Sequence, residues 1–324
     1  MKRLAVLLLA VCVTASRGEP PVPVRPFTIP WGERGGSVKL EIGPPETGRT
    51  RAGPASIKVG PDGDVFVVNT LGGSIERFAP DGSLRKSYLH PRYTSRDVEL
   101  SCIDVAFSPR GEVLALELAT QSVLVFDAQG RLGRKVAVPR KPDVPSILTA
   151  LECDAQGRLI VLDGYDNRLI RFGLDGKLVD RSTHPLATVL AIDSASRFVS
   201  VAFATPDSSA RLVIWRFDPF GKAQEKLGEI PLAEPAVELS LLGVDRAGRI
   251  YVEVAFGTVE TPRGRHALVV EKGAVTAKIA LPVPPAKIGM TRSRAVAPAG
   301  GLVVARATKG GLVIEHLPLP EKGR

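Results

Sequence analysis

The sequence predicts an all-β fold, a six-bladed β-propeller, on three observations. A tight turn followed by a short β-rich run recurs six times along the 324 residues. In the first five copies a second turn and a polar strand that stops at a proline follow it. The sixth copy ends without that last strand, and a segment of matching spacing stands near the amino terminus. A period of about 40 to 50 residues marks an array of units, each too small to bury its apolar face alone.

The first turns align as GPDGDVFVV (60–68), SPRGEVLAL (108–116), DAQGRLIVL (154–162), DSASRFVSV (193–201), DRAGRIYVE (245–253) and APAGGLVVA (297–305). Their turn positions, Gly63, Gly111, Gly157, Ser196, Gly248 and Gly300, are 48, 46, 39, 52 and 52 residues apart. The second turns are PDG (80–82), AQG (128–130), LDG (174–176), PFG (219–221) and EKG (271–273). From that glycine to the next proline is nine residues after Gly82, Gly130, Gly176 and Gly273, and ten after Gly221. Proline ends the strand because it cannot donate to the ladder. Each unit therefore reads as an inner strand, two apolar strands and a wet outer strand, which is one propeller blade.

The sixth unit has LVVARA (302–307) and LVIEHL (312–317), reaches the turn PEKG (320–323) and stops. The stretch from Gly35 to Pro44 repeats the nine-residue spacing from glycine to proline, counted from Gly35, and precedes the first complete unit. Residues 37–42 are therefore expected to close the ring as the outer strand of blade six, which removes exposed sheet edges. The expected divisions are a signal segment over 1–18, an extended segment over 19–34 and one propeller domain over 35–324.

At this point the chain resembles the NHL-repeat family of six-bladed propellers. VLDGYDNRLIRFGLDGK (161–177) and VVNTLGGSIERFAPDGS (67–83) carry the likeness, with an acid or amide ending one strand, a near equivalent of Asn-Arg-Ile opening the next, then Phe and Asp-Gly. The resemblance is specific in units one to three. Units four and five read as carrying longer loops and lack the Asn-Arg pair.

The first residues, MKR then LAVLLLAVCV then small and polar residues, have the order of a secretory signal. A second reading is a lipoprotein signal through Cys12, where Leu9-Ala10-Val11-Cys12 lacks the usual small residue before the cysteine. Either places the chain in the periplasm or outside the cell. Removing residues 1–18 takes away Lys2, Arg3 and Arg17, so the formal charge falls from +9 to +6. A basic exported surface suits anionic partners. No nucleic-acid motif is present, and no apolar run is long enough to span a bilayer.

Three oxygen-bearing side chains, Asn69, Glu117 and Asp163, fall in register six residues after the first turns. Equivalent points on stacked blades are roughly 10 Å apart, too far for one calcium ion with ligands at about 2.5 Å. The expectation is that each satisfies backbone groups where a strand turns. His90 and His184 sit before outer-strand prolines, at the periphery, and no GxSxG, HExxH or phosphate loop is present. No metal or other cofactor is expected. Cys102 lies nine residues before its turn glycine and Cys153 four before its own. That offset is worth about 16 Å along a strand, beyond the roughly 7 Å limit for a bridge. Two buried, unpaired thiols follow.

In a propeller the connections between blades and those between second and third strands emerge on one face. This loop face gathers Tyr88, His90, Arg92, Tyr93, Arg96, Arg140, Lys141, Tyr165, Asp166, Arg263, Arg265 and His266 as candidate binding residues, since loops on a rigid scaffold are where binding tends to be placed. The expected function is a non-enzymatic exported binding module, a monomer, whose partner is a protein, an anionic glycan or a lipid head group. The alternative is a resemblance to the calcium-dependent lactonases related to gluconolactonase. Asp104 and Glu152 would then carry the cation, with Lys58 and Arg294 as competing partners.

Overall fold

The computed structural model describes residues 24–32, 35–40, 53–89, 102–139, 146–165, 168–183, 191–193, 195–205, 208–218, 224–258, 262–282, 290 and 292–320. Their strands form six antiparallel four-stranded sheets. The inner, second, third and outer strands of blade one are Ser56–Val59, Val65–Asn69, Ser74–Phe78 and Leu84–Leu89. Blade two has Cys102–Phe107, Val113–Glu117, Ser122–Phe126 and Leu132–Ala137. Blade three has Leu148–Cys153, Leu159–Asp163, Arg168–Phe172 and Leu178–Thr183. No helix among the described residues is long and apolar enough to cross a membrane.

The two-residue alternation of a strand decides how the blades pack. In blade one Val65 and Val67 join a cluster with Val303, Leu312 and Ile314 of blade six. Phe66 and Val68, facing the other way, join Val105, Ala115 and Leu124 of blade two. Both faces are covered, so second strands read as continuous apolar runs, whereas the outer strand LGRKVA of blade two is exposed at five of its six positions.

The turn chemistry repeats in blades three, four and five. Asp154 Oδ1 accepts the Gln156 and Arg158 N–H groups at 3.0 and 2.9 Å, and Oδ2 accepts Arg158 Nε at 2.5 Å. Asp193 does the same for Ala195, Arg197 and the Arg197 guanidinium, and Asp245 for Ala247, Arg249 and the Arg249 guanidinium. One carboxylate thus closes the turn and anchors the arginine that opens the next strand. All six turn positions have positive φ, including Ser196 at 62°. Ser196 is tolerated there while its Oγ accepts the Ala155 N–H of blade three at 3.1 Å.

An amino-terminal strand does complete blade six, but it is Phe27–Pro30 rather than residues 37–42. Phe27, Thr28, Ile29 and Pro30 face Ile314, Val313, Leu312 and Gly311 across the ladder. Ile29 is buried to 1% exposure beneath the sheet. Of the residues first expected there, 41 and 42 lie outside the described set. Val38 forms a parallel bridge with Trp31, and Lys39 N donates to Asn69 Oδ1 of blade one at 3.0 Å. The Gly-to-Pro spacing measured a length and was silent on which edge the segment meets. The described propeller therefore includes part of the segment expected to precede it.

Blades four and five differ from the others by longer strands, which corrects the expectation of longer loops. Their second and third strands are Phe198–Thr205 with Ser208–Phe217, and Ile250–Gly257 with Pro262–Glu271, eight and ten residues each. The same strands have five residues in blades one to three. The turns at Asp193 and Asp245 stay in register with Asp154, so the additions project from the loop face, by about 10 Å at three residues.

Candidate functional site

Two places gather chemistry, one at each end of the ring. On the loop face, Asp163 Oδ1 accepts the N–H groups of Ile147 at 2.9 Å and Tyr165 at 3.1 Å, and Gly164 N donates to Ile147 O at 2.8 Å. Ile147 and Tyr165 are 57% and 56% exposed although their backbones are fixed. Asn69 acts comparably, accepting from Lys39 N and donating to Ser37 O at 3.3 Å. The Glu117 carboxylate accepts from the side chains of Ser122, Thr120 and Lys135.

The loop-face candidates divide. Tyr165 is exposed, and Arg263 is exposed with Glu234 at 2.9 Å. Tyr88 is a correction: at 1% exposure it packs against Phe66 and Phe126, with ring centroids 6.3 and 5.7 Å away. It alternates inward on an outer strand whose neighbours face solvent. Arg265 is also committed to the fold, its guanidinium bonding Glu253 at 2.8 Å and pairing with Glu238. His266 stands half-buried, its ring 6.0 Å from Phe256. Burial, with Lys278 nearby, holds its imidazole below the ordinary range. His90, Arg92, Tyr93, Arg96, Arg140, Lys141 and Asp166 lie outside the described residues.

The second place is the axis, where inner strands leave a cavity of about 550 Å³ that opens among the tight turns, on the face opposite the loops. Sequence reasoning had reached Asp104, Glu152 and Lys58 only as an alternative cation site and missed the cavity, because its residues come from six separate repeats. Lys58 Nζ of blade one reaches Glu152 Oε1 of blade three at 2.6 Å and donates to Leu151 O at 3.2 Å. Asp104 Oδ2 of blade two accepts Leu151 N at 2.9 Å, and Asp104 Oδ1 stands 3.5 Å from Arg292 Nη1 of blade six. Blades four and five line the opposite wall with Ala191, Ile192, Leu242 and Val244. At the mouth the Arg246 guanidinium donates to Pro61 O, joining blades five and one.

The acids named for a cation are therefore both paired, Glu152 with Lys58 and Asp104 with Arg292. Arg294, first considered as a partner for these acids, bonds Glu253 of blade five at 2.9 Å instead. Among the described residues no three His, Cys, Asp or Glu side chains come together at metal-binding spacing. Cys102 and Cys153 are free thiols, half-buried. Burial pushes both up to about 12.

No family model matches the chain, and no curated protein matches it by sequence. Solved structures do match. Virginiamycin B lyase from Staphylococcus aureus aligns with a TM-score of 0.52 and 16% identity over 91% of this chain and 87% of its own. A gluconolactonase from Xanthomonas campestris aligns at 0.51 and 14% over 91% and 98%. The PQQ-bound aldose sugar dehydrogenase from Streptomyces coelicolor aligns at 0.52 and 16% over 92% and 99%. At such identities the likeness establishes the fold: the chain is a six-bladed β-propeller.

Proposed function

We propose that this chain is an exported, non-enzymatic binding module of the NHL-like type, whose loop face docks a protein or an anionic envelope component. One observation carries the reading. Among the described residues, the three large apolar side chains more than half exposed, Leu89, Ile147 and Tyr165, all stand at loop-face ends of blades one and three. Exposed apolar groups gathered on a fixed backbone are what a partner covers. The taller blade four follows blade three around the ring, and blade five beyond it carries the exposed Arg263. The secretory signal over 1–18 would deliver the protein, as a monomer, to the periplasm or the exterior.

The second reading, a calcium-dependent lactonase, draws on the gluconolactonase among the structural neighbours. A cation at the axis would have to displace Lys58 from Glu152 and Arg292 from Asp104, which weighs against it.

The test presents the purified full chain to vesicles of phosphatidylglycerol, to an acidic polysaccharide and to fractionated envelope proteins. Ile147→Ser with Tyr165→Ala is expected to weaken whichever association is found by about tenfold or more, with the thermal midpoint unchanged. Unaltered binding to every partner would remove the loop face from the proposal. Stoichiometric calcium in the purified protein would favour the lactonase.

A further inference from the structure

The axial cavity lies on the face away from those loops and has a chemistry of its own. Its volume, about 550 Å³, is in the range that small-molecule sites occupy. The lining is two-sided. Ile192, Leu242 and Val244 are half-buried apolar side chains left facing the space. Lys58 and Arg292 enter from blades one and six.

The polar side is incompletely bonded. Among the described residues no acceptor takes a hydrogen bond from the Arg292 guanidinium, whose nearest acid, Asp104 Oδ1, is 3.5 Å away. That same Asp104 oxygen is buried with no hydrogen-bond partner. Asp104 is held back by its other oxygen, which accepts Leu151 N, and Arg292 is held by its backbone, which exchanges hydrogen bonds with Ala55 and Ile57. The guanidinium, its side chain 18% exposed at the cavity, thus keeps donors for a third group. A planar carboxylate answers a guanidinium with two parallel hydrogen bonds. The mouth cation Arg246 adds attraction for an anion, and the apolar wall suits an aliphatic or ring body behind the head group.

We propose that the axial cavity binds a small amphipathic carboxylate, its head on Arg292 beside Lys58 and its apolar body against Ile192, Leu242 and Val244. The site is built by residues from blades one, four, five and six and needs no contribution from the loop face. Its occupancy and the loop-face reading therefore stand or fall separately.

Calorimetric titration of the full chain with octanoate, 1-octanol and octylammonium tests it. Octanoate is expected to bind one site at least about tenfold tighter than either of the others, a difference one charge-assisted pair supplies. Arg292→Gln should abolish that preference while octanol binding persists. Leu242→Trp, which fills the apolar half, should weaken octanoate by about tenfold or more, and it reports independently if Arg292→Gln fails to fold. Equal affinity for the three probes, no binding of octanoate, or octanoate binding indifferent to Leu242→Trp would overturn the proposal.

Discussion

Lys58 Nζ stands 2.6 Å from Glu152 Oε1, joining blade one to blade three past blade two. The two side chains are 15% and 20% exposed, so water screens them weakly and each depends on the other. Lys58→Met leaves Glu152 charged without its partner and is expected to cost about 1 to 3 kcal/mol in urea unfolding. Lys58→Met with Glu152→Leu should recover most of that loss. A double variant no more stable than the single one would show that the pair does not act as a unit.

Gly311 closes the ring by letting the amino-terminal strand approach. Its φ is +155°, and a Cβ there would come within 2.2 Å of the Ile29 carbonyl oxygen. Gly311→Ala is expected to destabilise by about 2 kcal/mol or more, through clash and backbone strain. Gly310→Ala, where a Cβ meets nothing within 4 Å, should be close to neutral. Ile29→Ala, at the facing strand, should cost about 2 to 5 kcal/mol. Comparable denaturation midpoints for the two glycine variants would argue against closure by Phe27–Pro30.

Asp245 serves more groups than an ordinary turn acid. Beyond closing its own turn it accepts the Tyr251 hydroxyl at 3.0 Å, and that hydroxyl accepts Gly301 N of blade six at 3.0 Å. Asp245→Ala strands two backbone N–H groups and an arginine at once. An expected loss of about 2 to 4 kcal/mol follows, measured by chemical denaturation. Tyr251→Phe, which removes the bond to Asp245 and the link to blade six but leaves the turn itself closed, should cost about 1 to 2 kcal/mol.

The two thiols give a pH signature. Both are raised from an ordinary value of 9.0 to about 12, by burial first and by neighbouring carboxylates second, Glu117 for Cys102 and Asp154 for Cys153. At pH 8 the native thiolate is then scarce, and labelling by a maleimide should run roughly a thousandfold slower than in the unfolded chain. Because the folded state holds its protons longer, stability is full below pH 9 and falls as pH rises toward 12. Equally fast labelling of native and unfolded protein would contradict the burial of both groups.

Much of this molecule was legible in the chain because turn chemistry is local. The glycines and Ser196 that mark the first turns all adopt positive φ, and the residues between them alternate toward two neighbours. The offset of Cys102 and Cys153 was likewise legible, since strand register is counted along the sequence. Tyr88 was misplaced because a strand end near a loop does not say which side of the sheet a given side chain faces. The longer hairpins of blades four and five were taken for loops because Thr205 and Ser208, or Gly257 and Pro262, pair only when a partner strand is present.

What the sequence determined by itself was the number of blades, their strand count and the need for an amino-terminal strand, all consequences of short-range periodicity. The tertiary structure alone decided that Phe27–Pro30 is that strand, that Lys58 meets Glu152, and that Arg292 and Leu242 face one cavity. These residues are brought together by ring closure. Their separation along the chain carries no trace of a contact whose geometry depends on six sheets packing around one axis.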